Sequence, residues 1–275
     1  MNGWVKAAVG LQLLLVSAAP APATAKPQRI VSLNLCVDLL LLQLADREHI
    51  ASLTHLATDP ELSALAEMAE DIPQNHGLAE EILGYDPDLV ISGALTTLPT
   101  VWLLKQLGRR VLTLPSAESF AEVRALVMQV ATAIGEVERG RLLIADMDAR
   151  LAAIPPPVGQ PARAVVYEPH GYTAGRHTLV DEVIRAAGMA NIAIELGIVG
   201  HQPVPLEIIV LAEPDRLIVS SYRPDQASLA RTLLRHPSLK SRLAARSVVL
   251  PTKLWVCGNP IVVEAVERLA SSRGR

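Results

Sequence analysis

Aromatic side chains are scarce in this chain: one Phe, three Trp and four Tyr make up 3% of 275 residues. Any aromatic that lines a pocket is therefore drawn from a very short list. No run of five or more Lys or Arg occurs and the net charge is −3, which excludes a basic track along a phosphate backbone and, with it, nucleic acid as a partner. The signatures that usually carry chemistry in α/β enzymes, G-x-S-x-G, H-E-x-x-H, the Walker loop, G-x-G-x-x-G and C-x-x-C, are all missing. Gly171 and Gly175 bracket a short segment, but without the phosphate-loop Lys it reads as a turn. Catalysis is left only as an α/β enzyme with an unrecognised site. No apolar block reaches the roughly 20 residues that a membrane-spanning helix requires.

What is present begins with a leader. Lys6 supplies a positive start, the uncharged stretch Ala7 to Pro20 contains the apolar block Leu11 to Val16, and Ala23-Thr24-Ala25 offers a small-residue cleavage site before Lys26. Residues 1–25 thus read as a cleavable signal peptide rather than an anchor. The first cysteine, Cys36, lies well past that junction, so no residue is placed to accept a lipoprotein lipid. The expected location is the periplasm, free in an oxidising aqueous compartment.

Half of the residues are hydrophobic, and 275 residues suffice for two lobes of roughly 100 to 150 residues. Short apolar runs alternate with helical periodicity, the mark of parallel sheets with crossover helices. Strands are expected at Arg29 to Leu33, Ile50 to Leu53, Leu89 to Ile91 and Val111 to Leu114, with helices at Val37 to Leu44, Leu62 to Ala69, Pro99 to Leu107 and Phe120 to Ile134. A long helix, Glu136 to Ile154, then meets Pro155-Pro156-Pro157, which cannot continue it. The alternation restarts with strands at Ala164 to Tyr167, Arg216 to Val219 and Val248 to Leu250, and helices at Leu179 to Ala187, Pro205 to Leu211 and Pro260 to Ala270. The segment Glu80 to Ser92 is echoed by Glu207 to Val219, with Glu, Ile and Pro-Asp recurring at a constant offset of 127 residues. In each copy a short helix with Glu in its first turn is stopped by Pro-Asp, and an apolar run enters the sheet.

These residues resemble the periplasmic substrate-binding proteins of ABC importers for cobalamin, ferric siderophores and heme, the helical-backbone class III that includes cobalamin binders. The anchors are Arg29-Ile30-Val31-Ser32-Leu33, the block Leu78 to Ile91, Tyr172-Thr173-Ala174-Gly175-Arg176, Gly188-Met189-Ala190-Asn191-Ile192, the block Glu207 to Ile218, and Trp255 before the last helix. The resemblance implies an α/β fold of two Rossmann-like lobes, 26–135 and 156–275, joined by one interdomain helix at 136–155, with the ligand cleft between them. It also implies that Glu80 and Glu207 dock into Arg pockets of a permease dimer in the inner membrane. Carboxylates meeting guanidinium forks supply orientation and steering. Acids also favour helix N-termini through the macrodipole, whatever the partner.

Open parallel sheets bind ligands beyond the carboxyl ends of their strands, which nominates Cys36, His55, His76, Tyr172, His201, Tyr222, Trp255 and Cys257 as cleft residues. Histidines stand where the cobalamin binder presents aromatic rings, and Gly93 replaces another of its aromatics. His55, His76 and His201 are candidate metal ligands through neutral imidazole. Arg176 and Lys253 are candidate partners for an anionic siderophore. The two cysteines leave three readings open: a Cys36–Cys257 disulfide between lobes, a thiol pair for a soft metal, or two separated inert thiols. No covalently bound cofactor is expected. The cargo reading is a cobalt or iron chelate, with cobalamin or another corrinoid ahead of a ferric siderophore and heme third. A bare transition-metal ion is the competing cargo.

Overall fold

The computed structural model describes residues 26–94, 96, 98–221 and 246–273. The leader and Tyr222 lie outside the described residues. Among the described residues, no helix is long and apolar enough to cross a membrane.

The first half of the chain winds as β1 (Ile30–Ser32), α1 (Leu35–Leu44), β2 (Ile50–Thr54), α2 (Ala66–Ala69), β3 (Gln74–Asn75), α3 (Ala79–Gly84), β4 (Leu89–Gly93), α4 (Leu98–Gln106), β5 (Val111–Leu114) and α5 (Phe120–Ile134). All pairings in its five-stranded sheet are parallel, in the order β3-β2-β1-β4-β5. The chain reverses its direction of sheet growth between β1 and β4, which opens a crevice beyond their carboxyl ends. α6 (Val137–Ala152) follows; its 16 residues span on the order of 24 Å. The second half adds β6 (Ala162–Val166), β7 (Tyr172–Ala174), α7 (Leu179–Ala186), β8 (Met189–Asn191), α8 (Ile192–Glu195), β9 (His201–Pro203), α9 (Leu206–Leu211), β10 (Arg216–Ser221), β11 (Ser247–Pro251) and α10 (Val262–Ser272). Its four-stranded parallel sheet runs β11-β10-β6-β8, so the equivalent crevice opens between β6 and β10.

The internal echo is written into backbone bonding. The Asp88 carboxylate accepts the N–H groups of Gln28 at 2.7 Å and Arg29 at 3.0 Å, and Asp215 accepts that of Arg163 at 2.8 Å. Arg29 Nε donates to the Asp86 carbonyl at 2.7 Å; Arg163 donates to the Ala212 carbonyl at 2.9 Å. The residue before each proline takes the left-handed region, Asp86 at φ 44° and Glu213 at φ 46°. On the outer face of the first sheet Ile82 and Val90 sit in a small apolar cluster, and their counterparts Ile209 and Leu217 do the same on the second.

The inner faces share one core. A single apolar cluster runs from Ile30, Leu39 and Ile91 through α5 and the fully buried Met147 of α6 to Ile218, Val263 and Leu269. Arg124 of α5 forms a two-pronged pair with Asp148 of α6 at 2.6 and 2.9 Å, and Arg150 of α6 does so with Glu267 of α10 at 2.8 and 2.9 Å. The strut is thus bolted to both halves. Away from it, Glu182 of α7 accepts the Phe120 N–H at 2.6 Å, and a Cβ on Gly258 would lie 2.6 Å from the Ala117 Cβ, so only glycine lets that loop rest on the opposite half.

Several expected elements are trimmed or added. The helix expected from Leu62 shrinks to α2, because Asp59 and Ser63 side chains take the backbone N–H groups of Glu61 and Leu65 and hold the segment in turns. The strands β3, β7, β8 and β9 are too short, at two or three residues each, to leave a periodic pattern.

Asp38, fully buried in α1, accepts the Thr54 N–H at 3.2 Å and the Thr54 hydroxyl at 2.5 Å. Burial outweighs the Ser32 and Thr54 hydrogen bonds and pushes its carboxyl from 3.8 to about 7. The folded protein therefore holds a proton that the unfolded chain releases. This contribution is complete below pH 3.8 and is lost as pH rises to about 7, a decline on the order of 4 kcal/mol. Asp38→Asn is expected to flatten the stability profile across that window. Urea unfolding at stepped pH checks it, and an unchanged slope would refute the assignment.

Candidate functional site

The two crevices face each other across a cleft of about 620 Å³. The first half contributes Asn34 and Cys36 after β1, Gly93 and Ala94 at the end of β4, and Leu114 to Glu118 from the last residue of β5 onward; the second contributes Glu168 after β6, His201 of β9, Ser220 of β10 and Trp255 after β11. Every contribution from a parallel strand comes from its carboxyl end, as the topology requires. Asn34 caps α1, its side chain accepting the Cys36 N–H at 2.9 Å. A side chain at Gly93 would sit 2.6 Å from that carboxamide, so glycine gives Asn34 its place on the wall. Trp255 is 7% exposed and is the only tryptophan among the described residues of the lining.

Cys36 and Cys257 are joined by a disulfide. Of the three readings open in the sequence, the bonded one holds, so neither a thiol pair for a soft metal nor two free thiols is present. Cys36 lines the cleft and Cys257 is buried behind it.

The histidines do not converge. His201 lines the cleft, whereas His55 and His76 follow β2 and β3 on the outer flank of the first sheet and stack on each other, centroids 4.8 Å apart and planes 21° from parallel. His76 Nδ1 lies 3.2 Å from Glu81 Oε1, and its N–H donates to Glu81 Oε2 at 2.7 Å. The three candidate ligands His55, His76 and His201 are therefore not gathered round one point. Lone pairs of two stacked rings lie within separate, nearly parallel planes, and no cluster of three or more His, Cys, Asp or Glu able to hold a metal exists among the described residues. Tyr172 lies in β7, paired with Pro203 and 42% exposed, outside the cleft lining. Arg176 and Lys253 are also outside the lining.

Glu168 is the cleft residue that sequence reasoning passed over, although it immediately follows an expected strand. Its carboxyl is held above the usual carboxylate range because burial disfavours the charge, with His201 pulling weakly the other way. Glu80 and Glu207 stand exposed in the first turns of α3 and α9. Neither carries an ion pair among the described residues.

Two parallel α/β sheets that open onto one cleft and are joined by a helix define a two-lobed α/β binding-protein fold. The chain belongs to the periplasmic binding protein family, whose model matches residues 30–247. It is 28% identical over 243 residues to a cobalamin-binding protein of Halobacterium salinarum, covering 86% of this chain and 63% of that protein; the chain thus spans less than two thirds of the curated relatives it matches. Among solved structures it is similar to the periplasmic heme-binding protein RhuT from Roseiflexus sp. RS-1, at 26% identity and a TM-score of 0.75 over 89% of this chain and 97% of that one. The vitamin B12 binding protein BtuF of Vibrio cholerae, at 18% identity and a TM-score of 0.65 over 90% and 96%, shares the fold.

Proposed function

We propose that this protein is the periplasmic substrate-binding component of an ABC importer, capturing a metal chelate and delivering it to a membrane permease dimer. The carrying observation is the cleft itself: about 620 Å³, walled mainly by apolar groups and opened at the switch points of both sheets, a size and lining suited to a large organic ligand. A cobalamin or other corrinoid is the first cargo and a ferric siderophore the second. Heme is a specific alternative, favoured by His201 in the lining, a residue type that serves as an axial iron ligand, and by the likeness to RhuT. Trp255, His201, Glu168 and the Cys36–Cys257 bridge are the cargo-facing groups. The lobes divide as 26–135 and 156–275 about the strut 136–155, residues 1–25 are removed on export without lipid attachment, and the protein binds without turnover. Glu80 and Glu207 are its docking acids.

The test is a titration of the mature protein with cyanocobalamin, hemin and ferric siderophores, followed by tryptophan fluorescence. Beyond the leader only Trp102 and Trp255 remain; Trp102 is 62% exposed, so a cargo in the cleft quenches Trp255. Saturation at micromolar concentration or tighter by a corrinoid, with the signal lost in Trp255→Phe, is expected. Absence of saturation by all three classes would refute the reading.

A further inference from the structure

We infer that Glu168 is a specificity-determining residue of the cleft, selecting cargo that presents amide N–H donors or a positive centre to the second lobe's wall and rejecting cargo that presents a carboxylate there. This rests on the capture reading above and adds what the cargo must offer chemically.

Placement comes first. Glu168 stands two residues past the end of β6 and lines the cleft together with Ser220 near the end of the neighbouring β10, where the crevice of the second sheet opens. Its backbone is pinned on both sides: its N–H donates to the Tyr172 carbonyl at 2.9 Å, and its carbonyl accepts the Gly171 N–H at 3.0 Å. The root of the side chain is therefore fixed, and Glu168 shares the cleft lining with Pro169, Leu179, Val180 and Trp255.

Its lack of partners comes second. Several acids of this half are engaged, Asp181 by Asn191 and Arg185, Glu182 by the Phe120 N–H, Glu195 by Arg163, and Asp215 by the Arg163 N–H, while the unpaired Glu207 stands exposed on the surface rather than in the cleft. The half-buried Glu168 carboxyl makes no side-chain hydrogen bond or ion pair among the described residues. A carboxyl partly withdrawn from water without protein donors is destabilised relative to a fully solvated one, and a ligand that supplies donors offsets that deficit. The other ionisable groups in the described lining are His201, on β9, and Glu118, after β5 on the opposite lobe. Glu118 adds a second negative charge. A carboxamide-rimmed corrinoid offers N–H donors to such a wall, and so does a cationic hydroxamate chelate; hemin brings propionates that meet like charge.

The experiment compares dissociation constants for cyanocobalamin, ferrioxamine B and hemin on the mature protein and on Glu168→Gln and Glu168→Leu, with melting curves as a folding control. The ratio of hemin affinity to cyanocobalamin or ferrioxamine affinity is expected to rise about tenfold or more in both variants, with Glu168→Gln keeping more of the neutral-cargo affinity because its carbonyl still accepts. A measurement on the wild type alone covers the case of a variant that misfolds: the isomeric cyanocobalamin monocarboxylates, each with one side-chain amide hydrolysed, should include at least one that binds about tenfold more weakly than the parent. Ratios unchanged within about twofold in well-folded variants, or monocarboxylates that all bind like the parent, would overturn the role of Glu168 and leave capture standing. Binding of none of the three chelates by the wild type would instead remove the capture reading, and this inference with it.

Discussion

Opening the Cys36–Cys257 disulfide is expected to lower the stability of the folded protein by roughly 2 to 5 kcal/mol. The bond closes a loop between residues 221 positions apart, near the upper end of what cross-linking removes from the unfolded ensemble. It also ties α1 of one lobe to the loop before α10 of the other, a junction at which Gly258 already rests against Ala117. For a chain of this size, about 1 kcal/mol corresponds to 2 to 4 °C, so a fall in melting temperature on the order of 10 °C should follow. Calorimetry with and without a phosphine reductant reads this directly. The Cys36→Ser, Cys257→Ser double variant should melt like the reduced protein in either buffer. A reduced protein, verified by thiol titration, that melts where the oxidised one does would show that the strut and the shared core alone fasten the lobes.

Reversing both exposed acids, Glu80→Arg with Glu207→Arg, is expected to abolish association with the cognate permease while leaving cargo affinity within about twofold. Each carboxylate occupies the first turn of its helix, faces water, and has no ion pair among the described residues. A charge pair desolvated at an interface costs about 2 to 5 kcal/mol when one partner is removed, and like-charge contact adds to it. The single reversals should each weaken association by tenfold or more and the double variant by at least the product of the two. Binding to the permease reconstituted in nanodiscs supplies the readout. If Glu80→Gln and Glu207→Gln change only the melting temperature and leave association intact, the acids serve their own helix dipoles and the docking assignment falls.

How much of this was legible in the sequence depends on the range over which a signal acts. The duplicated helix, Pro-Asp stop and strand could be read directly, because each step is local: Pro87 and Pro214 end a helix, and the apolar runs from Leu89 and Leu217 enter a sheet. The backbone bonds of Asp88 and Asp215 then follow from the same local motif. The cleft was only half legible. Cys36 and Trp255 were found by their position after strands and His201 by its place before the Glu207 helix, and all three line it. His55 and His76 satisfy the same rule, yet β2 and β3 lie away from the β1/β4 switch point, and strand order is not a property of any short window. Glu168 carried no distinguishing neighbour, and its importance comes from the partners it lacks. The disulfide could not be chosen from three readings, since proximity across 221 residues has no local trace.

The continuous core through Met147, the paired arginine bolts and the covalent bridge leave little travel for a hinge. Within the importer reading, the distance between the two acidic prongs is then nearly the same with or without a passenger. A ligand shifts a second equilibrium only through its differential affinity for two states, and a frame with one dominant shape offers almost none. Empty carriers would occupy the importer's landing site nearly as well as laden ones, so discrimination between them would fall to the transporter, or to groups at the mouth of the cleft that the passenger itself touches.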